Sequence, residues 1–220
     1  MSSLPGLFDS FDNLDQIDVG SLIPWIKNPP NPIQLENYLA NRILYPQTMP
    51  LNEADIKIDL AILREVLRLN GPKKNQNGEM LGENPFLNIT LRKIIIPDKF
   101  LLYVPNLTEL TWAFVDGLLL SRAKEDFFGD LWTVIVSDHV DEIVGSILLP
   151  QFGSSSDVMD LNILAKGYKI KAGSLTLIPC PKDRCELSYK FSNGKFLGKE
   201  ENAIEISGGK LGIMIDGRLS

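Results

Sequence analysis

Beyond Phe152 the chain is broken at short intervals by turn formers: Gly167, Gly173, Pro179, Asn193-Gly194, Gly198 and Gly208-Gly209. That spacing of turn signals is the mark of an antiparallel barrel or sandwich, so residues 157–220 are expected to form an all-β domain. Its last strand is the clearest. Gly208 and Gly209 suit a turn with positive φ, and Leu211, Ile213 and Ile215 alternate with Gly212, Met214 and Asp216. The run Ser207-Gly208-Gly209-Lys210-Leu211-Gly212 is glycine-rich, but it precedes a strand and lacks the helix dipole that makes such loops bind anions. A hairpin turn is the expectation there. Asp216 and Arg218 lie two residues apart on an extended strand and therefore on one side of it. They are either a carboxylate-guanidinium staple or a small partner-facing contact, and they are the candidate partner-binding residues.

The first part of the chain, residues 1–72, reads as helices separated by prolines. Asn13 to Ile26 has Leu14, Ile17, Leu22 and Ile23 near helical spacing, and Asn28-Pro29-Pro30-Asn31-Pro32 stops it. A second helix is expected from Ile33 to about Leu44, followed by the rigid, extended connector Tyr45-Pro46-Gln47-Thr48-Met49-Pro50. Asn52 can cap a third helix reaching Leu69, with Asp55 in its first turn and Ile56, Leu60, Leu63 and Leu67 as its buried stripe. The polar run Lys73 to Glu83 reads as an exposed loop. In residues 84–152, strands Leu91–Ile96 and Leu131–Val136 alternate with helices Leu107–Leu120 and Val140–Leu149. Continuous apolar strands between helices predict a parallel sheet with both faces covered. The fold class expected is thus mixed α+β, with a helical section, an α/β layer and an all-β barrel or sandwich.

Several chemistries are excluded by what the chain lacks. A net charge of -6 and a pI near 4.9 oppose general nucleic-acid binding, which needs a clustered basic surface. No uninterrupted apolar stretch is long enough for a membrane span, and no secretory signal is visible, so a cytoplasmic location is expected. Cys180 and Cys185 are the only cysteines and His139 the only histidine, too few for a structural zinc site. In a reducing compartment the cysteines are expected to be two thiols flanking a β-turn. Neither a Walker loop nor a dinucleotide fingerprint is present, and the turn Pro97-Asp98-Lys99-Phe100 has no glycine to admit a phosphate. No cofactor or metal is predicted.

One constellation could carry catalysis. Ser137-Asp138-His139, with Asp141 and Glu142, follows a strand at the edge where open α/β sheets place ligands. His139 could act as a general base beside Asp138 or Asp141, giving a small hydrolase or transferase. The alternative makes Ser137 or Asp138 the N-cap of the following helix, with the acids complementing its positive end. Neighbours in sequence seldom point at one another as triad partners do, which favours the cap.

Three segments together resemble the glutamate mutase accessory protein, the L-component family. They are Tyr38 to Pro50 with Ile58 to Glu65, the strand and helix from Lys93 to Leu120 with Phe114-Val115-Asp116-Gly117, and the ending Gly208-Gly209-Lys210-Leu211-Gly212-Ile213-Met214-Ile215-Asp216-Gly217-Arg218. The resemblance implies an actin-like α/β layer and an assembly or reactivation role toward an adenosylcobalamin-dependent mutase. It covers the carboxyl-terminal half of such a protein only, without the half that carries the first phosphate loop. It therefore implies a non-catalytic accessory or scaffolding module, whose partner is a mutase subunit or an actin-like half. A separately encoded half that completes an ATPase in trans is the further alternative; an exposed apolar patch on the helical section would support it.

Overall fold

The computed structural model of the chain describes residues 7–9, 11, 13–70, 91–119, 128–136, 142–181 and 183–218. They fall into two compact units, one within Met1–Asn88 and Asp98–Asp126, the other within Ile89–Pro97 and Phe127–Ser220. The first is helical and the second is built of strands.

In the helical unit, Asn31 caps α2 (Pro32–Leu44) through a reciprocal pair with Gln34, and Pro32 occupies the first turn, where its missing N–H costs nothing. Asn52 accepts from the Asp55 amide at the start of α3 (Glu53–Asn70), as the sequence predicts. The buried surface of α3 is wider than the expected stripe. Ile58 through Leu63, Glu65 and Val66 are all buried, and Ile56 and Leu67 sit at the margin. The stretch expected as one helix from Asn13 to Ile26 is instead two 3₁₀ turns (Leu14–Gln16 and Ile23–Trp25) around one turn of helix, α1 (Val19–Leu22). Gly20 and Pro24 lie inside it, and both disfavour a continuous helix. A short α4 (Phe100–Tyr103) leads to α5 (Leu107–Leu119), which packs along α3.

The strand unit contains a five-stranded sheet of order β1-β2-β3-β11-β7 and a four-stranded sheet of order β10-β8-β5-β6. In the first, β1 (Leu91–Ile96) runs parallel to β2 (Phe128–Val136), which is antiparallel to β3 (Glu142–Leu148). The last strand, β11 (Gly212–Asp216), lies parallel to β3 and antiparallel to β7 (Leu175–Ile178). The sheet is mixed, not parallel as expected. The cause is the segment expected as a helix at Val140–Leu149, which is strand β3. Val144 through Leu148 are buried without interruption, and a strand covered on both faces shows no alternation to separate it from a buried helix.

The second sheet is antiparallel throughout: β5 (Val158–Ile163), β6 (Lys166–Lys171), β8 (Cys185–Phe191) and β10 (Glu201–Ile206). Met159, Leu161 and Ile163 of β5, with Leu187, Tyr189 and Phe191 of β8, share a core with Ile178, Ile213 and Ile215 of the first sheet. The two sheets share this core, one of them including β1, β2 and β3 from outside the expected all-β region, and no closed barrel is formed among the described residues. The small pair β4 (Gln151–Phe152) and β9 (Gly194–Lys195) places Phe152 edge-on to Phe191 at 5.5 Å. Beside it, the Tyr189 hydroxyl donates to the Phe196 carbonyl at 2.6 Å, so the buried phenol is satisfied.

Gly208-Gly209 is not a hairpin turn. It carries the chain from β10 in one sheet to β11 in the other, with the Gly209 amide on the Cys180 carbonyl at 2.8 Å. Gly212 has φ +80°, and a Cβ there would stand 2.6 Å from the Ile178 carbonyl oxygen, so only glycine suits the position. The two cysteines also depart from expectation. Their sulfurs are in bonding contact as a disulfide, with Cα atoms 7.0 Å apart, because the loop between β7 and β8 turns both side chains into the shared core. The four-residue spacing makes a hairpin disulfide geometrically possible, and it was the reducing compartment alone that favoured free thiols.

Candidate functional site

The connector between α2 and α3 combines two properties that seldom occur together: apolar side chains open to water and a backbone pinned from below. Leu44 is 68 % exposed and Leu51 90 %, with Ile43, Tyr45 and Met49 also exposed. Isolated exposed apolar residues are ordinary, but five in the nine positions from Ile43 to Leu51, across the end of α2 and the connector, form a cluster. Pro46 and Pro50 fix φ within it.

The pin is Arg42, one turn back in α2 and almost fully buried. Its Nε and one terminal nitrogen reach both oxygens of Asp59 in α3 at 2.8 and 2.7 Å, a bidentate pair. The other terminal nitrogen donates to the Thr48 carbonyl in the connector. Tyr38, one turn further back, donates its hydroxyl to Asp59 at 3.0 Å and receives from Arg42 at 2.6 Å. A guanidinium has five donors in a fixed fork, and here the fork joins two helices to the loop between them. Burial pushes the Asp59 carboxyl up to about 6, with the Arg42 charge and hydrogen bond opposing it. Burial raises the Tyr38 hydroxyl as well, helped by the adjacent Asp59. The Tyr103 hydroxyl meets the Gln47 carbonyl at 3.5 Å, a longer second contact to the same loop.

Asp216 and Arg218 form a pair with each other. The Asp216 carboxylate accepts the Arg218 amide at 3.0 Å, its Nε at 2.9 Å and a terminal nitrogen at 2.8 Å. Asp216 is completely buried, while about a third of the Arg218 side chain reaches solvent. Gly217 between them is equally specific. Its amide donates to the Ser174 carbonyl, its own carbonyl receives the Gly173 amide, and a Cβ would stand 3.0 Å from the Phe152 ring. Each residue of the Asp-Gly-Arg motif thus serves the fit of the last strand, and Arg218 alone presents surface.

His139, Asp138 and Asp141 lie outside the described residues. The helix that Ser137 or Asp138 was expected to cap is strand β3. Asp116, the aspartate of the helix that resembles the L-component family, accepts from Arg64 Nε at 2.8 Å within the helical unit. Among the described residues, no group of three or more His, Cys, Asp or Glu side chains is arranged to hold a metal ion. No helix there is long and apolar enough to cross a membrane.

Sequence reasoning identified the connector as rigid but missed it as a surface. The signal was present in the apolar residues around the two prolines, Ile43, Leu44, Tyr45, Met49 and Leu51; what could not be read was that Arg42 would turn inward and leave them outside. The fold is thus a two-unit α+β protein, and the candidate site is an exposed apolar surface over a buried, hydrogen-bonded clamp. Comparison of the chain with protein-family models, curated proteins and solved structures finds no match.

Proposed function

We propose that this chain is a non-catalytic accessory module that binds another protein through the surface from Ile43 to Leu51, at the end of α2 and along the connector. The observation that carries the reading is the pairing of exposed Leu44, Tyr45, Met49 and Leu51 with the buried clamp of Arg42, Asp59 and Tyr38. A contact loop held rigid before binding loses little conformational entropy on docking, and exposed Leu, Tyr and Met supply the apolar area such contacts use. The partner surface is therefore an apolar pocket or groove. The resemblance to the L-component family supplies the class of partner, a mutase subunit or an actin-like half, and an actin-like origin for the α/β elements.

The same patch also favours a second reading, in which the partner is the missing half of an ATPase. The two differ in what the complex does, since only the second predicts ATP hydrolysis on assembly.

The test captures proteins from a native lysate on the tagged chain and on its Leu44→Asp/Leu51→Asp variant. A specific protein held by the wild type and lost by the variant, with the same protein retained by Arg218→Ala, supports the connector. Equal capture by wild type and the Leu variant refutes it. Nucleotide-dependent thermal stabilisation of the chain alone would refute the non-catalytic reading, because a ligand stabilises only a state that binds it.

A further inference from the structure

The four-stranded sheet has two edges of opposite charge. Edge strand β6 carries Lys166, Lys169 and Lys171 with no acid, while edge strand β10 carries Glu201 and Glu205 with no base and follows Glu200. All six side chains are exposed. In a chain of net charge -6, three lysines in one six-residue edge strand are a local reversal of sign.

The ladder fixes which backbone groups face outward. Leu164 and Ala165, at φ +49° and +60°, make a two-residue turn of the primed type between Ile163 and Lys166. The pair closing such a turn exchanges hydrogen bonds, and hydrogen-bonded pairs then alternate along the ladder. The amides and carbonyls of Gly167 and Lys169 therefore point away from β5. Following the same parity through β8, those of Glu201, Ala203 and Glu205 point away from β8. Among the described residues, no backbone hydrogen bond outside the sheet occupies the Gly167, Lys169, Ala203 or Glu205 groups.

Each edge also has an unfinished inner face. Tyr168 on β6 and Ile204 on β10 pack against the shared core but remain only partly buried.

We infer that a second copy of this chain adds its β10 edge to the β6 edge, continuing the antiparallel sheet from one molecule to the next. Because the four strands alternate in direction, an incoming β10 runs antiparallel to β6 without inversion. At full overlap of the two six-residue strands, Lys171 meets Glu201, Gly167 meets Glu205, and Lys169 lies diagonally between both glutamates. The outward-facing amides coincide in this register, and Tyr168 comes opposite Ile204 on the inner face. Lysine on an edge strand ordinarily discourages pairing with apolar strands. Here it selects an acidic one. Glu201 and Glu205 already contact Lys190 and Arg184, but those pairs are more than half exposed and worth little, so they can be exchanged. Since the two edges are different surfaces, the contact is head-to-tail and extends past a dimer, into a ring or an open fibre.

The test is sedimentation velocity of the full chain over a range of concentrations at low salt. Species larger than a dimer are expected to grow with concentration and disappear in high salt, as contacts between exposed charges are screened. Lys169→Glu/Lys171→Glu should remain monomeric alone, as should Glu201→Lys/Glu205→Lys. An equimolar mixture of the two should associate, because each variant then offers the edge the other needs; recovery also shows that both variants are folded. A wild type monomeric at every concentration and salt overturns the inference. So does association that survives either charge reversal, or association abolished by Leu44→Asp/Leu51→Asp, which would place the contact on the connector.

Discussion

Asp116 on α5 and Arg64 on α3 are joined at 2.8 Å, and the residue after Asp116 is the glycine that lets the two helices come this close. A Cβ on Gly117 would stand 2.6 Å from the Leu67 Cβ and 2.8 Å from the Arg64 carbonyl oxygen. Arg64 also lies over the Trp25 ring at 5.1 Å, and the Trp25 indole donates to Glu65 at 3.2 Å. The ion pair and the glycine act on one crossing point.

Gly117→Ala is therefore expected to destabilise the protein even though alanine favours helix. The propensity gain is about 1 kcal/mol, whereas overpacking against backbone costs roughly 1 to 3 kcal/mol. Urea unfolding monitored by circular dichroism should show a lower midpoint. An unchanged or higher midpoint would mean that the helices separate without cost.

Arg42→Met leaves Asp59 buried without its cation, and breaking a buried pair from one side costs about 3 to 5 kcal/mol. The double variant Arg42→Met/Asp59→Leu removes both charges and should recover much of that loss. In the double variant the connector still lacks its Thr48 contact, so limited proteolysis within 45–51 should be faster than in wild type although global stability is close to it. Equal cleavage rates would separate the clamp from loop rigidity.

Acid and alkaline behaviour should both report this cluster. Asp59 holds its proton to about 6 in the folded chain against 3.8 for an ordinary aspartate, so the folded state binds more protons in that interval. The stabilisation from this group is complete below 3.8 and is lost as the pH rises through about 6. The unfolding free energy of wild type minus that of Asp59→Asn should fall across this window; a flat difference would contradict the shift. Tyr38 is raised too, so its contribution is full below the ordinary phenol value and declines as the pH climbs beyond it.

The Cys180 and Cys185 pair closes a short loop between β7 and β8. The chain-entropy model gives such a loop about 2 kcal/mol, so reduction should lower unfolding free energy by roughly that amount. Mass spectrometry after alkylation under native and denaturing conditions checks the bond itself. Full labelling of both cysteines without reductant would show that it does not form.

What the sequence disclosed follows from how local each determinant is. Asn52 with Asp55 is a cap within one turn, and α3 begins where those residues predict, while α2 begins at the end of the proline-rich stop that was read at Asn28 to Pro32. The turn formers Gly167, Gly173, Asn193-Gly194 and Gly198 are equally local, and the expectation of antiparallel strands followed from their spacing. Strand β3 was misread because both of its faces are covered by residues distant in sequence, leaving a solid apolar run. The connector needed still longer-range knowledge. Nothing between Tyr45 and Pro50 announces that Arg42 will be drawn inward by Asp59 on the next helix. Asp216 and Arg218 were legible as a pair, since an extended backbone puts them on one side, but their burial depends on where β11 enters the sheet.

That entry point has a consequence for how the chain acquires its shape as it is made. β11 separates β3 from β7, so the five-stranded sheet has a gap until residues 212–216 arrive. A chain emerging from the ribosome displays β3 first, with Gly145 to Leu148 lacking the strand that will cover that side. Contacts of such wide sequence separation form slowly, and an open strand edge invites the wrong neighbour in the interval. The five-stranded sheet therefore closes only after β11 has left the ribosome, behind every other strand that it joins.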